Sequence, residues 1–356
     1  MTRPMANNTM TRLIKYAATG CVLCKARFLN KNIPIRIDFN ITNRCNQRCS
    51  YCYVDFNELA GKKDMTMDQI RHLINDFHSR GMRSVRLMGG EPLLRDDLGE
   101  IIDLINKKNI LCEVNTNGFF VKRWLEELRK VDSVCLSIDG EEHGHDIVRG
   151  KGSYRKAVEA LEFLVSHHIK TRIHGVLSKY TLKSLRHMAE LARRYHVTFT
   201  SAPCCAQDLD KRDPNLSLTL QEYVDFYREY LALKKAGYPI LTSYRSIQLA
   251  VDWPFKEDLI IYPEDLKGHA LPKGYRVIPC QYGHRSCYID GDGRMYACSR
   301  QWKIGLNYFE HGFEKCWDYL QQHVQCVTCR TINDFSLAFS LEPSIVKELI
   351  RDMISR

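Results

Sequence analysis

Three cysteines stand close together near the amino terminus of the 356-residue chain, at Cys45, Cys49 and Cys52. Their Cys-x3-Cys-x2-Cys spacing puts three thiolates on one short loop. An alternating apolar run, residues 33–41, precedes it and predicts a strand. Three thiolates can hold three corners of a four-iron, four-sulfur cluster, whose usual full set is four cysteines. One iron would then lack a protein ligand, and a cofactor or substrate can bind at such an open position.

A structural zinc site is the alternative for this loop. Zinc in structural sites takes four ligands, and no fourth Cys or His lies close by, because His72 and His78 fall inside a predicted helix. The pattern therefore favours an iron–sulfur cluster over zinc.

The loop resembles the signature of the radical S-adenosylmethionine (radical SAM) superfamily, including the aromatic residue before the last cysteine, Tyr51. The resemblance implies that the open iron chelates the amino and carboxylate groups of SAM. It also implies that an electron from the cluster cleaves SAM to methionine and a 5′-deoxyadenosyl radical, which takes a hydrogen atom from the substrate. An external electron donor of the flavodoxin or ferredoxin type is implied as a partner.

Strand-like and helix-like segments alternate from Ile33 to about Ser201, in six units. This alternation predicts an α/β fold with a parallel sheet. The family resemblance specifies the sheet as a partial, six-stranded (β/α)6 barrel of the TIM-like kind. Chemistry in such barrels takes place at the carboxyl ends of the strands.

A glycine-rich turn ends the predicted second strand, at Gly89, Gly90 and Glu91. Followed by Pro92, it resembles the GGEP motif of the family, which implies a contact with the amino group of SAM. Adjacent glycines allow the backbone to approach a ligand closely.

Further candidate cofactor-binding residues follow the predicted fourth strand. Ser137 and Asp139 resemble residues that line the SAM pocket of the family, although the Asp-Gly pair is also ordinary turn chemistry. Arg149 lies in a stretch similar to one in peptide-modifying members. Its guanidinium could bind a carboxylate of SAM or substrate, or it could form a surface salt bridge. The sequence does not identify a general base.

A second group of cysteines lies near the carboxyl terminus. Cys280 and Cys298 resemble the opening of the SPASM/Twitch auxiliary-cluster motif, and Cys326 and Cys329 add a Cys-x2-Cys pair. Phe335 stands where the full SPASM pattern has a further cysteine. The resemblance is therefore to the shorter Twitch form, which implies that these four cysteines hold one auxiliary four-iron cluster.

Two other cysteines compete for places in this second group, Cys287 more strongly than Cys316. A zinc ribbon is the alternative for the whole group, because paired cysteines at these separations also suit zinc. The radical SAM resemblance upstream favours the iron–sulfur interpretation.

Five segments are predicted along the chain. They are a basic amphipathic amino-terminal segment (1–32), a radical SAM partial barrel (33–206), a helical and aromatic connecting region (207–279), a small Twitch-like iron–sulfur domain (280–333) and a carboxyl-terminal helix (334–356).

The net charge of +10 is unevenly distributed, since Met1–Ile37 holds seven basic residues and no acidic one. Apolar residues in this segment recur at helical spacing. Such a helix either lies on an anionic membrane surface or packs its apolar face on the core with its basic face outward. The second arrangement is favoured because Gly20 weakens the helix, and it predicts that Cys21 and Cys24 are buried thiols.

Fifteen cysteines, several in Cys-x2-Cys-type groups, fit metal binding in a reducing compartment. No apolar run reaches eighteen residues, so no transmembrane helix is expected. We expect a cytoplasmic protein, with peripheral membrane contact through the amino-terminal helix as an alternative. No nucleic-acid partner is expected, because the charge is concentrated in one terminal helix and no nucleic-acid motif is present.

An auxiliary cluster can accept the electron that a substrate radical loses, which fits dehydrogenation or crosslinking. The family resemblance implies a ribosomally made peptide as substrate. Radical modification of a membrane lipid or isoprenoid, oxidation of a small molecule such as an aminocyclitol, and a non-catalytic metal-cluster protein are the alternatives.

Overall fold

A nine-stranded sheet forms the centre of the computed structural model, which describes residues 9–54, 61–204, 213–255, 258–267, 270–330 and 347–348. The strand order is β10-β9-β8-β1-β2-β3-β4-β5-β6. These strands are β1 (Arg36–Asn40), β2 (Ser84–Met88), β3 (Leu111–Thr116), β4 (Ser133–Ser137), β5 (Thr171–Leu177), β6 (Thr198–Pro203), β8 (Ser286–Ile289), β9 (Arg294–Tyr296) and β10 (Gly305–Asn307). A separate antiparallel pair joins β7 (Ile260–Ile261) to β11 (Thr328–Cys329).

Eleven helices are present in the described residues. They are α1 (Thr9–Phe28), α2 (Met67–Ser79), α3 (Leu98–Lys107), α4 (Leu125–Leu128), α5 (Glu142–Arg149), α6 (Ser153–Ser166), α7 (Leu185–Arg194), α8 (Leu220–Lys235), α9 (Tyr244–Val251), α10 (Pro263–Leu266) and α11 (Tyr308–His323). A capping box starts α2, since Thr66 accepts from the Gln69 backbone and the Gln69 side chain accepts from the Thr66 backbone.

The predicted six-stranded parallel sheet is confirmed. Strands β1 to β6 are neighbours in chain order, and every pair is parallel. One face of each strand packs on the helices in a single apolar core, as with Phe39, Val114 and Leu136. Helices on this face and a parallel register give the partial TIM-like barrel, with all six carboxyl ends at one edge.

The other face of the sheet carries an ionic network that the sequence analysis did not predict. The Asp38 carboxylate accepts from Arg36 Nε (3.0 Å) and Arg86 Nε (2.9 Å), and Glu113 accepts from Arg172 Nε (2.8 Å). Burial alone would raise the pKa of both carboxyls, but the neighbouring guanidinium groups lower each pKa below its ordinary value. The barrel interior is therefore charged, with three guanidinium groups paired to two carboxylates.

The carboxyl-terminal cysteine region is continuous with the barrel sheet, another feature that the sequence analysis did not predict. Strand β8 pairs in parallel with β1, placing Cys287 opposite Ile37. Strands β8 and β9 form an antiparallel hairpin, with Tyr288 opposite Tyr296. The carboxyl ends of β1 and β8 thus meet at the same edge of the sheet.

The predicted orientation of the amino-terminal helix is wrong. Helix α1 buries Lys15, whose Nζ donates to Asp132 Oδ2 (2.8 Å) and Asn106 Oδ1 (3.0 Å), and it leaves Leu13 and Ile14 exposed. Its inward face is held by this ion pair and by the packing of Val22 and Ala26 near Ile35, while Leu13 and Ile14 face solvent. Cys21 and Cys24, which were predicted to be buried, are exposed for the same reason.

Most of the predicted carboxyl-terminal helix, Leu341–Ile354, lies outside the described residues, as do Cys205 and Phe335. Among the residues that are described, no helix combines the length and apolar character needed to cross a bilayer.

Replacement of Lys15 by alanine should destabilise the fold by about 3 kcal/mol, because it leaves the buried Asp132 carboxylate without its ammonium partner. Lys25→Ala is the matched control, since Lys25 is exposed on the same helix, and it should leave the unfolding midpoint unchanged. Denaturant unfolding followed by tryptophan fluorescence measures both. Equal midpoints for the two variants would show that the ion pair does not hold α1.

Candidate active site at the carboxyl edge of the sheet

The first cysteine loop, residues 41–54, leaves the carboxyl end of β1 and is held by buried polar side chains. Thr42 Oγ1 donates to Asp64 Oδ2 (2.5 Å), and the Asn43 backbone N–H donates to Asp64 Oδ1 (2.8 Å). Arg95 Nη1 donates to the Ile41 carbonyl (2.6 Å). The sequence did not indicate that Asp64 and Arg95 hold the cysteine loop. Neither residue belongs to a motif, and their hydrogen bonds to the loop form only in the folded chain.

The glycine-rich turn after β2 lies directly against this loop. The Gly90 N–H donates to the Thr42 carbonyl and the Glu91 N–H to the Arg44 carbonyl, both at 2.8 Å. A Cβ on Gly90 would lie 2.2 Å from the Arg44 oxygen and 2.9 Å from Cys45 Cβ. Gly89 has φ +151°, a conformation that favours glycine. The two glycines are thus required for the loop and the turn to pair.

The Glu91 side chain is engaged within the protein. Its carboxylate accepts from Thr116 Oγ1 (2.8 Å) and from the backbone N–H of Asn117 (2.8 Å) and Leu93 (3.1 Å). Burial raises the pKa of Glu91 to about 7 even though these donors lower it. Glu91 therefore ties the turn to the end of β3, and it is the backbone of the turn that faces the cysteine loop.

Tyr51, Asp139 and Arg149, three of the predicted site residues, lie in one buried cluster. Asp139 accepts from Tyr51 Oη (2.5 Å), Arg149 Nε (2.5 Å) and the Val176 N–H (3.0 Å). Burial would raise the pKa of Asp139, but the Arg149 guanidinium lowers it below its ordinary value. Arg149 Nη1 also lies 4.0 Å from Cys49 Sγ. The cluster connects the cysteine loop to β4 and β5.

Arg149 lies at the end of α5, a helix that the sequence analysis did not predict. Its guanidinium binds a carboxylate of the protein, Asp139, in a buried ion pair, so the alternative of a surface salt bridge does not apply. His145 on the same helix accepts from the Asp139 N–H (3.1 Å), and burial lowers the pKa of His145 to about 4, which keeps the ring neutral. Ser137, also predicted, is half-buried at the end of β4 opposite His174.

The three thiols of the first loop lie in surroundings that disfavour their thiolate form. Burial raises the pKa of Cys45 and of Cys52 to about 11, and Cys49 also adds to both shifts. In the part of the chain that the structure describes, no three His, Cys, Asp or Glu side chains are arranged for a single metal ion. The chemistry of the donors fits an iron–sulfur cluster, because its positive irons offset the repulsion among three buried thiolates.

The four predicted auxiliary cysteines come together at the end of the β8–β9 hairpin. Burial raises the pKa of Cys280, and the charges of Cys329, Cys298 and Cys326 raise it further. Burial likewise raises the pKa of Cys298 to about 12, with Cys329 and Cys326 adding to the shift. Four partly buried thiols, whose thiolates would repel one another, form a donor set that fits a second cluster.

The competing cysteines lie elsewhere in the described residues. Cys287 and Cys316 are buried in the main apolar core, and the Cys316 thiol donates to the Asn307 carbonyl. Cys204 is buried beside Val148 and Leu216. None of these three adds to the pKa shifts of the auxiliary group.

A polar contact joins the two cysteine regions. Asp290 directly follows β8, and its Oδ1 accepts from Asn40 Nδ2 (2.7 Å) at the end of β1 and from Tyr296 Oη (2.8 Å). Tyr53, which follows Cys52, shares a hydrogen bond with Asn40 (3.0 Å). Burial raises the pKa of Asp290 above its ordinary value. The proximity of Asp290 to β1 could not be deduced without the parallel pairing of β8.

Gly90→Ala should displace the cysteine loop, because the new methyl group meets backbone atoms that cannot move aside. We expect a loss of about 2 kcal/mol or more in unfolding free energy and little iron bound at the first loop after anaerobic reconstitution. Gly99→Ala is the control, since its Cβ would meet only the Glu127 side chain at 3.4 Å. Retention of wild-type stability and iron by Gly90→Ala would contradict this account of the turn.

The sequence signature of the radical SAM superfamily matches residues 39–192. The AdoMet-dependent heme synthase of Methanosarcina barkeri is 24% identical over 297 residues, which cover 81% of this chain and 83% of the relative. The mycofactocin maturase MftC of Mycolicibacterium smegmatis is 28% identical over 302 residues, which cover 80% of this chain and 70% of the relative.

A crystal structure of Streptococcus suis SuiB bound to its precursor peptide SuiA has a similar fold. Its TM-score is 0.63 at 15% identity, with 89% of this chain and 72% of SuiB covered. The family uses a four-iron, four-sulfur cluster and SAM, and the cysteine loop and glycine-rich turn described above lie inside the matched region. Residues 39–192 of the chain form a radical SAM domain.

Proposed function

We propose that this enzyme carries out an oxidative modification or crosslink on a peptide, as a maturase of ribosomally made peptides. The observation that carries the proposal is the pair of cysteine groups on either side of the Asn40–Asp290–Tyr296 contact. Similarity to a mycofactocin maturase over 80% of this chain supports a peptide substrate. The fold likeness to SuiB agrees with it.

Cys45, Cys49 and Cys52 would hold the SAM-binding cluster, and a second four-cysteine set would hold an auxiliary cluster, namely Cys280, Cys298, Cys326 and Cys329. When bound, the first cluster supplies the electron that cleaves SAM, and the second takes up the electron that the substrate loses. Tyr51 and Arg149 act as positioning residues in this scheme, because their polar groups meet on Asp139 and keep the cysteine loop against β4.

Asp290 is the proposed proton acceptor. A substrate carbon that loses a hydrogen atom and then an electron must also lose a proton, or form a new bond to a neighbouring group that loses one. Asp290 lies between the two cysteine groups at the carboxyl edge of the sheet. Burial raises its pKa, which makes the carboxylate a stronger base than an exposed aspartate.

Oxidation of a small molecule is a second candidate function. The similarity to an AdoMet-dependent heme synthase, which covers 83% of that relative, favours it. The charged barrel interior, with Asp38 and Glu113 each paired to arginine, suits a polar or ionic substrate of either class. A membrane lipid fits less well, because no described feature of the interior is an apolar channel for acyl chains.

An external electron donor of the flavodoxin or ferredoxin type remains part of the proposal. A cavity of about 810 Å³ opens beside Cys45. Its charged lining residues are mostly basic, namely Arg44, Arg48, Lys62, Lys63 and Arg95 against Asp64, Asp96 and Asp97. Flavodoxins and ferredoxins that carry acidic surfaces would be attracted to its basic side chains. This cavity therefore offers a contact for the donor close to the first cysteine loop.

The enzyme, reconstituted and reduced under anaerobic conditions, should release 5′-deoxyadenosine from SAM. Cys49→Ala should reduce this release to background, because it removes one of three thiolates that hold the cluster. Cys24→Ala should cleave SAM normally, since Cys24 lies exposed on α1. Liquid chromatography of the quenched reaction measures both. Wild-type release by Cys49→Ala would rule out the assignment of the first loop.

Asp290→Asn should keep SAM cleavage but lower product formation by about 10²-fold or more, because the amide cannot accept the proton. Small peptides encoded beside the gene can be coexpressed with each variant, and mass spectrometry then reports the loss of two hydrogens. Asp292→Asn is the control, since Asp292 lies on the same turn and pairs with Lys62 (3.0 Å). Equal product from both variants would exclude Asp290 as the base.

A further inference from the structure

Helix α1 exposes one continuous apolar stripe to solvent. Its large members are Met10 (62% exposed), Leu13 (55%), Ile14 (52%) and Phe28 (83%). Ala17, Cys21 and Cys24, which are also exposed, fill the positions between them. The steps of three and four residues place all seven on one face of the helix. Leu29, which is 55% exposed, directly follows the helix.

The contacts that hold α1 leave this face outward. Lys15 donates to Asn106 and Asp132. Asn106 lies shortly before the start of β3, and Asp132 directly precedes β4. Val22 packs near Gly81, which precedes β2, and Ala26 is buried against Ile35. Helix α1 thus crosses the amino ends of four strands, β1 to β4, at the opposite end of the barrel from the cysteine loop.

The charges that the α1 segment itself carries are all positive. Lys25, Arg27 and Lys31 are exposed at its carboxyl-terminal end, and Met1–Ile37 contains no acidic residue. Lys107, next to the Asn106 contact, is exposed as well. An apolar face of this size that is flanked by basic side chains is complementary to a surface with acyl chains and negative headgroups.

We propose that α1 docks this enzyme on an anionic phospholipid surface. The apolar stripe would enter the boundary between headgroups and acyl chains, and Lys25, Arg27 and Lys31 would contact the headgroups. A second copy of the chain fits this face less well, because two α1 helices would bring basic residues together with no acidic residue to pair with them.

Docking through α1 goes beyond the proposed peptide chemistry and does not depend on it. Because α1 lies at the amino ends of the strands, the carboxyl edge with both cysteine groups would face away from the lipid. The bilayer is therefore the location of the docked enzyme and not the source of its substrate.

Vesicle co-sedimentation of the full-length, reconstituted enzyme tests the proposal. The probes are vesicles of phosphatidylcholine alone and vesicles that also contain phosphatidylglycerol. We expect binding to the anionic vesicles, weaker binding at high salt, and a fall of about tenfold or more for the double variant Leu13→Glu/Phe28→Glu. Leu220→Glu, at an exposed apolar position on α8, is the matched control and should bind like the wild type.

SAM cleavage in solution shows that Leu13→Glu/Phe28→Glu is folded, because α1 lies at the opposite end of the strands from the cysteine loop. Absence of wild-type binding to anionic vesicles, equal binding to neutral vesicles, or an equal loss in Leu220→Glu would overturn the proposal. So would a wild-type dimer, seen by light scattering, that Leu13→Glu/Phe28→Glu converts to a monomer without any change in vesicle binding.

Discussion

Thiolates in a protein interior are unfavourable unless positive charge lies beside them, and this constraint organises the molecule. Burial raises the pKa of thiols in both groups, to about 11 for Cys45 and about 12 for Cys298. In each group, neighbouring thiolates raise it further. The fold must therefore hold groups of cysteines in positions that become stable when they share a cationic cluster, and much of the surrounding structure serves that requirement.

Two kinds of contact hold the first loop in place. Backbone hydrogen bonds from Gly90 and Glu91 pair the glycine-rich turn with the loop, which is why no side chain fits at position 90. The Asp139 carboxylate joins Tyr51 of the loop to Arg149 of α5. Rigid backbone on one side and a buried ion pair on the other leave the loop little freedom to move.

Much of this arrangement could be predicted from the sequence. The alternation of strands and helices predicted the parallel sheet, and β1 to β6 are parallel neighbours in chain order. The predicted site residues Tyr51, Asp139 and Arg149 lie together. Motif spacing and strand-end position carried these predictions, because the carboxyl ends of parallel strands meet at one edge.

Other features depend on contacts between distant segments, and no local pattern reports them. Helical spacing predicted the apolar stripe of α1 but could not show whether the stripe faces the core or solvent. The buried Lys15–Asp132 pair decides this, because it fixes which face of the helix turns inward. The parallel pairing of β8 with β1 brings Asp290 to Asn40, 250 residues apart. The Arg36–Asp38–Arg86 network likewise requires the register of two strands.

The central claim is that the two cysteine groups each hold a four-iron cluster. The most direct test is the iron and sulfide content of the anaerobically reconstituted protein. The account predicts about eight of each per chain, and about four of each when either Cys49 or Cys298 is replaced by alanine. About four of each in the unaltered protein, with zinc in the carboxyl-terminal group, would contradict it.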